Sequence, residues 1–249
     1  MNPVLKQMEQ HRSIRKYKNQ DVEDHVIQQI LECAINASSS GNMQAYSVIV
    51  TKKKEIREAL SPLHFDQNMA LEAPVFVTFC ADFNRTRKWL ETRNAPLNFD
   101  NPMSFMIGAI DAILVSQNFS LAAESLGLGI CYLGTTLANC HKIAKILNCP
   151  HQVVPVVGMS LGHPAEGPLK RNRLPSKFLF HKDRYQDYSE DDLRDCYIER
   201  EKESMQRLGF AKLDEYAHFL TTKKYTKESH LLYSQNIIQC LRDQNYLTQ

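Results

Sequence analysis

Apolar residues recur at helical spacing over residues 22–37, which read VEDHVIQQILECAINA. Ile27 and Ile30 would share one face of that helix with the apolar residues a turn away on either side. Asp21 precedes the segment and is placed to accept its first free amides. The polar run SSSG follows directly. The pattern therefore predicts a helix from about Val22 to Ala37.

Four short segments are rich in β-branched and aromatic residues and are bounded by polar or turn-forming positions. Each is too short for a typical helix, so each is predicted to be a strand. The first two carry the stronger pattern. The segments are Tyr46–Thr51, Pro74–Ala81, Leu128–Leu133 and Val153–Leu161.

The segment from Pro102 to Leu126 is apolar on nearly every face and is followed by Gly127. Proline suits the first turn of a helix and glycine its end, so a long helix is predicted here. Such a helix must be surrounded by a domain core or by another subunit. A shorter helix is predicted over Asn139–Leu147. Beyond about Ser189 the chain is polar and helical, with few apolar residues of its own, which predicts that it packs on another surface such as a partner chain.

Composition describes an ordinary folded protein. The 249 residues are 43% hydrophobic and 23% charged, with a formal net charge of +2, far from the basic excess of a nucleic-acid binder. The seven cysteines are scattered and form no CxxC pair, which favours free thiols in a reducing compartment such as the cytoplasm. The sequence shows no signal-peptide core and no apolar run near the roughly 18 residues of a membrane span, so no membrane association is expected.

Three sequence patterns partly match known functional motifs. Ser160 lies in a GxSxG match, the nucleophile elbow of hydrolases, but the prolines that follow cannot supply the helix that an elbow requires. The run Gly127–Tyr132 begins like a dinucleotide-binding GxGxxG but lacks its third glycine and follows a helix. The cysteines and histidines at 140, 141, 149 and 151 match no common zinc spacing, so no metal is predicted.

Three polar segments remain as candidate binding elements: residues 11–15 (HRSIR), 38–44 (SSSGNMQ) and 170–173 (KRNR). Guanidinium groups beside a hydroxyl suit a phosphate or the electron-rich edge of a ring. A solvated basic turn or a polar loop explains the same residues without a ligand. Residues alone leave these alternatives open.

Taken in order, five segments and one glutamine resemble the FMN-dependent nitroreductase family, in particular its NAD(P)H:flavin oxidoreductases and oxygen-insensitive nitroreductases. The similarity covers about the first 185 residues. The matching elements are HRSIRKY (11–17), SSSGNMQAYSVI (38–49), Gln67, FCADFNR (79–85), AAESLGLGICYLG (122–134) and RNRLP (171–175).

The resemblance implies an α+β fold with a central, mostly antiparallel sheet flanked by helices. It also implies an intertwined homodimer with FMN bound at the interface. Residues 1–185 would form the FMN-binding core, and residues 186–249 a helical extension that packs on the partner subunit.

The resemblance likewise implies a set of FMN contacts. Arg12, Arg171 and Arg173 would hold the phosphate, and His11, Ser13 and Arg15 the ribityl chain and pyrimidine edge, where a fixed cation makes a flavin easier to reduce. Ser38, Ser39, Ser40, Met43 and Gln67 would come from the other subunit. Backbone amides at Leu133, Gly134 and Thr135 would face flavin N5.

The implied activity is ping-pong hydride transfer from NAD(P)H through FMN N5 to a small acceptor such as a nitroaromatic, quinone or free flavin. Arg200 and Arg207 are candidates for binding the 2′-phosphate of NADPH, with surface charge on a helix as the alternative, and Asn42 would line the substrate pocket. Arg171 stands where the family has lysine, Asn42 where relatives often have Phe, and Thr135 where glycine is common. Two other hypotheses are a serine esterase using Ser160 and a non-enzymatic flavin-binding protein.

Overall fold

The computed structural model describes residues 2–248, which divide into two compact units. The first unit comprises residues 2–168 and 232–248 and is built on a four-stranded sheet of order β1-β2-β4-β3. Neighbouring strands are all antiparallel. The strands are β1 (Tyr46–Thr51), β2 (Val75–Asp82), β3 (Gly129–Leu133) and β4 (Val153–Gly162).

Helices surround this sheet, as predicted for an α+β fold. The helices are α1 (Pro3–Gln10), α2 (Asp24–Ala34), α3 (Lys54–Leu60), α4 (Asn68–Glu72), α5 (Asn84–Glu91), α6 (Pro102–Ser125), α7 (Thr135–Ala138) and α8 (Cys140–Ile146). Short 3-10 turns lie at Ser40–Asn42, before β1, and at Ser61–His64, after α3. Residues 232–243 of a further helix, α11 (Lys227–Asp243), also belong to this unit.

The core lies between β2, which is buried along its whole length, and the central helix α6. Gly108 allows the two to approach, because a Cβ there would lie 2.9 Å from the carbonyl oxygen of Ala45 and 3.0 Å from the Cβ of Ala81. α6 is long and apolar enough to cross a membrane by length and composition, but half of its most apolar stretch is buried within the fold. Core helices of folded domains share these properties.

The second unit, residues 169–231, is helical. It contains α9 (Glu190–Leu208), α10 (Glu215–Phe219), a π-helical turn (Leu220–Lys224) and the first residues of α11. Ser189 caps α9, with its hydroxyl accepting from the Asp192 amide and the Asp192 carboxylate accepting from the Ser189 amide. Gly209 ends α9 in the left-handed conformation.

The predicted elements are largely confirmed, and the four strands begin and end within one residue of the expected positions. The first predicted helix is shorter than expected at both ends, and it starts later because Asp21 does not cap it. Its carboxylate instead accepts from Lys52 Nζ at 2.8 Å, and α2 starts at Asp24. At the other end of the chain, Cys240, Leu241 and Tyr246 are buried in the core of the first unit, so this part of the tail packs on its own chain.

Candidate functional site

The basic segment at residues 11–15 is tied to the edge strand β3. The Ile14 amide donates to the Ile130 carbonyl at 2.8 Å, and the Ile14 side chain is buried. Gly129 makes room for it, since a Cβ at that position would lie 2.7 Å from Ile14 Cγ1. Arg12 and Arg15 on either side are exposed. Ile14 therefore anchors the segment and leaves both guanidinium groups accessible.

Glu166 fixes the same segment from its other side. Its Oε1 atom accepts from the amides of Arg15 at 2.6 Å and Lys16 at 3.1 Å. The Lys18 amide donates to the His163 carbonyl at 2.9 Å, which continues the pairing. Because Glu166 binds backbone and not the guanidinium of Arg15, it orients the cation without neutralising it by direct contact.

His11 and Arg12 line a crevice of about 420 Å³ between α1 and the end of α6. His11 Nδ1 lies 2.6 Å from Glu124 Oε1, which engages one of its two ring nitrogens. Arg12 donates at 3.3 Å to the Gln10 carbonyl and at 3.4 Å to the Pro168 carbonyl. Neither contact is a carboxylate, so the Arg12 side chain keeps its positive charge available for an anion.

The esterase hypothesis based on Ser160 is wrong. Ser160 is fully buried within β4, and the strand continues to Gly162 instead of turning into a helix. Its Oγ lies 2.7 Å from the Tyr17 hydroxyl and donates to the Cys131 carbonyl at 3.4 Å. Burial raises the pKa of Tyr17, so this phenol stays neutral. The serine is a structural group between two strands and the N-terminal segment.

The turn after β3 has open backbone at Gly134. Leu133 is buried, but Gly134 is exposed, and a Cβ at Gly134 would meet nothing within 4 Å. Thr135 then begins α7, and the Thr136 hydroxyl donates to the Leu133 carbonyl at 2.9 Å. A planar group could therefore approach the backbone at Gly134 directly.

A buried carboxylate holds the loop formed by residues 38–44, called here the serine loop. Asp111 Oδ1 accepts from the Ser40 amide at 3.0 Å, and Oδ2 accepts from the Ala45 amide at 3.1 Å. Within the loop, the Ser39 hydroxyl accepts from the Gln44 amide at 3.2 Å, and Gly41, Asn42 and Gln44 have positive φ. Asp111 on α6 thus fixes both ends of a loop whose backbone is costly to form.

The remaining predicted residues of the first unit have distinct surroundings. Ser38 is exposed, and Met43 packs against the main core. Asn42 is exposed and accepts from Gln44 Nε2 through its carbonyl at 2.8 Å. Gln67 Nε2 donates to the His64 carbonyl at 3.0 Å, and His64 Nδ1 lies 2.9 Å from Thr135 Oγ1. Gln67 and Thr135 are therefore joined within one chain, whereas the sequence-based expectation placed Gln67 on the other subunit.

In the second unit the predicted arginines lie on two neighbouring elements. Arg200 and Arg207 are two turns apart on one face of α9, the first half-buried and the second exposed. The Asn172 amide donates to Glu203 Oε2 at 3.1 Å, which holds the segment carrying Arg171 and Arg173 against the same helix. This hydrogen bond brings the segment of Arg171 and Arg173 to the part of α9 that carries Arg200 and Arg207.

The sequence did not predict three residues that support the candidate site: Asp111, Glu166 and His64. Asp111 gave a usable signal, since a carboxylate in the middle of an apolar helix needs a buried partner. Glu166 and His64 lie in polar segments where nothing in the local pattern marks them. Both act through residues more than 70 positions away.

Comparison with known proteins identifies the class. Residues 8–163 match the model of the Nitroreductase family. An FMN reductase [NAD(P)H] of Bacillus subtilis is 37% identical over 187 residues, which are 74% of this chain and 75% of the relative. An oxygen-insensitive NADPH nitroreductase of Salmonella typhimurium is 35% identical over 190 residues, which are 76% and 78% of the two chains.

The fold agrees with that assignment. A solved structure from Bacteroides fragilis superimposes with a TM-score of 0.92 and 39% identity over 97% of this chain and 99% of the other. The chain belongs to the nitroreductase family. The α+β fold with an antiparallel sheet, expected from the resemblance, is confirmed.

Proposed function

We propose that this chain is an FMN-dependent NAD(P)H oxidoreductase that reduces small electron acceptors by a ping-pong mechanism. Nitroaromatics, quinones and free flavin are the proposed acceptors. The observation that carries the proposal is the basic segment 11–15, anchored by β3 and Glu166 with its guanidinium groups exposed. The names of the relatives, FMN reductase and NADPH nitroreductase, support the same reaction class.

The donors present fit FMN. Arg12 offers a charged guanidinium for the phosphate, Ser13 a hydroxyl for the ribityl chain, and Arg15 a second cation for the pyrimidine edge. Gly134 leaves open space where the isoalloxazine ring would lie against backbone amides. When bound, FMN supplies the hydride acceptor and donor that no side chain can provide. Arg171 and Arg173 remain predicted phosphate ligands.

The side chains of this protein then act by binding and orienting. Glu166 holds the Arg15 backbone, and Asp111 holds the loop that carries Ser39 and Ser40. We propose that Gln67 contacts the same flavin as the Gly134–Thr135 turn, because Gln67 and Thr135 are both hydrogen-bonded to His64 within one chain. No proton transfer by a protein acid or base is required for hydride exchange at the flavin.

A homodimer is part of this proposal. α6 exposes a stripe at helical spacing, in which Met103, Ile110 and Ile113 are 66%, 49% and 52% exposed. An apolar stripe on the central helix of a domain favours burial against a second copy of the chain. The serine loop is anchored to this same helix through Asp111, so a partner docked there would bring Ser38, Ser39, Ser40 and Met43 to the neighbouring flavin.

Two finer assignments follow from the second unit and the cysteines. Arg200 and Arg207 are the proposed ligands of the NADPH 2′-phosphate, supported by their shared face on α9 and by the neighbouring Arg171 and Arg173.

A reducing compartment such as the cytoplasm is supported by the seven cysteines, all of which are free thiols.

The test compares Arg15→Ala with Lys16→Ala in FMN titrations of the apoprotein. Both residues give their amides to Glu166, but only Arg15 is assigned to the flavin edge. Loss of one charge-assisted hydrogen bond should weaken FMN binding by roughly tenfold or more in Arg15→Ala. Lys16→Ala should bind FMN like the wild type. Equal affinities in the two variants would remove the assignment.

A further inference from the structure

His64 is a fully buried histidine beside the open turn, and it lies outside the short segments that carry the resemblance in the sequence. It ends the 3-10 turn Ser61–His64, and its side chain is wholly shielded from solvent. Its Nδ1 lies 2.9 Å from the hydroxyl of Thr135, the residue that follows the exposed Gly134. The contact spans 71 positions of sequence, so only the fold creates it.

The ring of His64 packs against neighbouring residues. It packs on Phe76 of β2 with 4.9 Å between ring centroids. Next to it, Asn139 Nδ2 donates to the Leu63 carbonyl at 2.7 Å, a second link between the 3-10 turn and the helices α7 and α8. Burial lowers the pKa of His64 to about 4, so the ring is neutral near neutral pH and binds Thr135 as a neutral partner.

The same residue also holds Gln67. Its carbonyl accepts from the Gln67 side chain at 3.0 Å and from the Gln67 amide at 3.3 Å. Phe65 and Asp66 between them both have positive φ, at 57° and 49°. Two consecutive left-handed residues are costly for side chains of this size and persist when the surrounding contacts fix them. His64 therefore joins two elements, one at Thr135 and one at Gln67.

We propose that His64 is a positioning residue that holds the Gly134–Thr135 turn and Gln67 together for contact with the flavin. The inference rests on the proposed function and adds a residue to it. Its polar atoms support the assignment. Nδ1 is bonded to Thr135, while Nε2 is buried without a partner in the described part of the chain, so the Thr135 contact is the hydrogen bond this ring makes there.

The test uses four variants in FMN titrations: Thr135→Val, Thr135→Ser, His64→Phe and the His64→Phe/Thr135→Val double variant. Valine keeps the shape of threonine without its hydroxyl, serine keeps the hydroxyl, and phenylalanine keeps a buried ring. Loss of a neutral hydrogen bond should weaken FMN binding about fivefold in Thr135→Val and in His64→Phe. The double variant should bind FMN no more weakly than the single variant with the lower FMN affinity, because each single substitution already removes the same hydrogen bond.

A second readout separates positioning from simple destabilisation. The absorption spectrum of saturated, bound FMN should shift in Thr135→Val and remain like the wild type in Thr135→Ser. A loss of thermal stability with an unchanged spectrum and unchanged affinity would overturn the positioning role. If His64→Phe does not fold, the two Thr135 variants decide the question, since Thr135 is only partly buried.

The outcomes distinguish this proposal from the one on which it depends. A folded wild-type protein that binds no FMN overturns the proposed function, and this inference with it. A wild type that binds FMN, with affinities of all variants within about twofold of it, overturns only the role of His64. A double variant about 25-fold weaker than wild type would show that the two residues act independently and would also overturn it.

Discussion

Asp111 gives the sharpest test of how the fold supports the site. The residue is completely buried, and its two oxygens accept from the Ser40 and Ala45 amides at 3.0 and 3.1 Å. Asp111→Ala leaves both amides without this acceptor. Each hydrogen bond to a charged group contributes about 2 kcal/mol, so the free energy of unfolding should fall by about 4 kcal/mol. Asp111→Asn keeps one acceptor oxygen and should lose about half as much.

Ser120→Ala is the matched control, because Ser120 is on the same helix and equally buried. Its hydroxyl has no hydrogen-bond partner within residues 2–248. Because a buried hydroxyl without a partner is unfavourable, its removal should leave the free energy of unfolding unchanged or raise it by about 1 kcal/mol. The assay is denaturant unfolding of the apoprotein at one fixed protein concentration, since a dimer's stability depends on concentration. If Asp111→Asn proves as stable as Ser120→Ala, Asp111 does not hold the serine loop.

Three further predictions follow. Because the pKa of His64 is about 4 in the fold and 6.5 unperturbed, the unfolded chain binds more protons below about pH 6.5. As the pH falls from 7 to about 5, the free energy of unfolding should therefore decrease by about 2 kcal/mol because of His64. Denaturant titrations across this pH range should show that decrease in the wild type and not in His64→Phe. Ile110→Glu should convert the dimer to a monomer in sedimentation experiments, whereas a monomeric wild type would contradict the proposed interface. Arg200→Ala should raise KM for NADPH far more than for NADH; an equal rise would remove that assignment.

Much of the fold could be predicted from local patterns. The strands and α6 carry their own signals, β-branched runs in one case and an apolar stretch between Pro102 and Gly127 in the other. The start of α2 could not be predicted, because the carboxylate of Asp21 is taken by Lys52, 31 positions away. Local capping rules do not include such competition.

Only part of the candidate site could be predicted from local patterns. Clusters of arginine and serine have the chemistry of binding groups, so the sequence predicts the segments at 11–15 and 38–44 as candidate binding elements. Their supports are single residues paired over long distances, namely Asp111, Glu166 and His64. Such pairs have no periodicity and no local motif, so they emerge only once the chain is folded. Sequence thus identified groups that can touch a ligand better than groups that hold them.

The most direct test of the central claim is anaerobic mixing of the purified, FMN-loaded protein with NAD(P)H, followed by visible absorbance. We predict that the oxidised flavin absorbance bleaches with one equivalent of nicotinamide per bound FMN. The absorbance should return when a quinone or nitroaromatic is added. A protein that binds FMN but keeps its yellow colour in excess NADH and NADPH would be a flavin-binding protein without this activity, and would contradict the account.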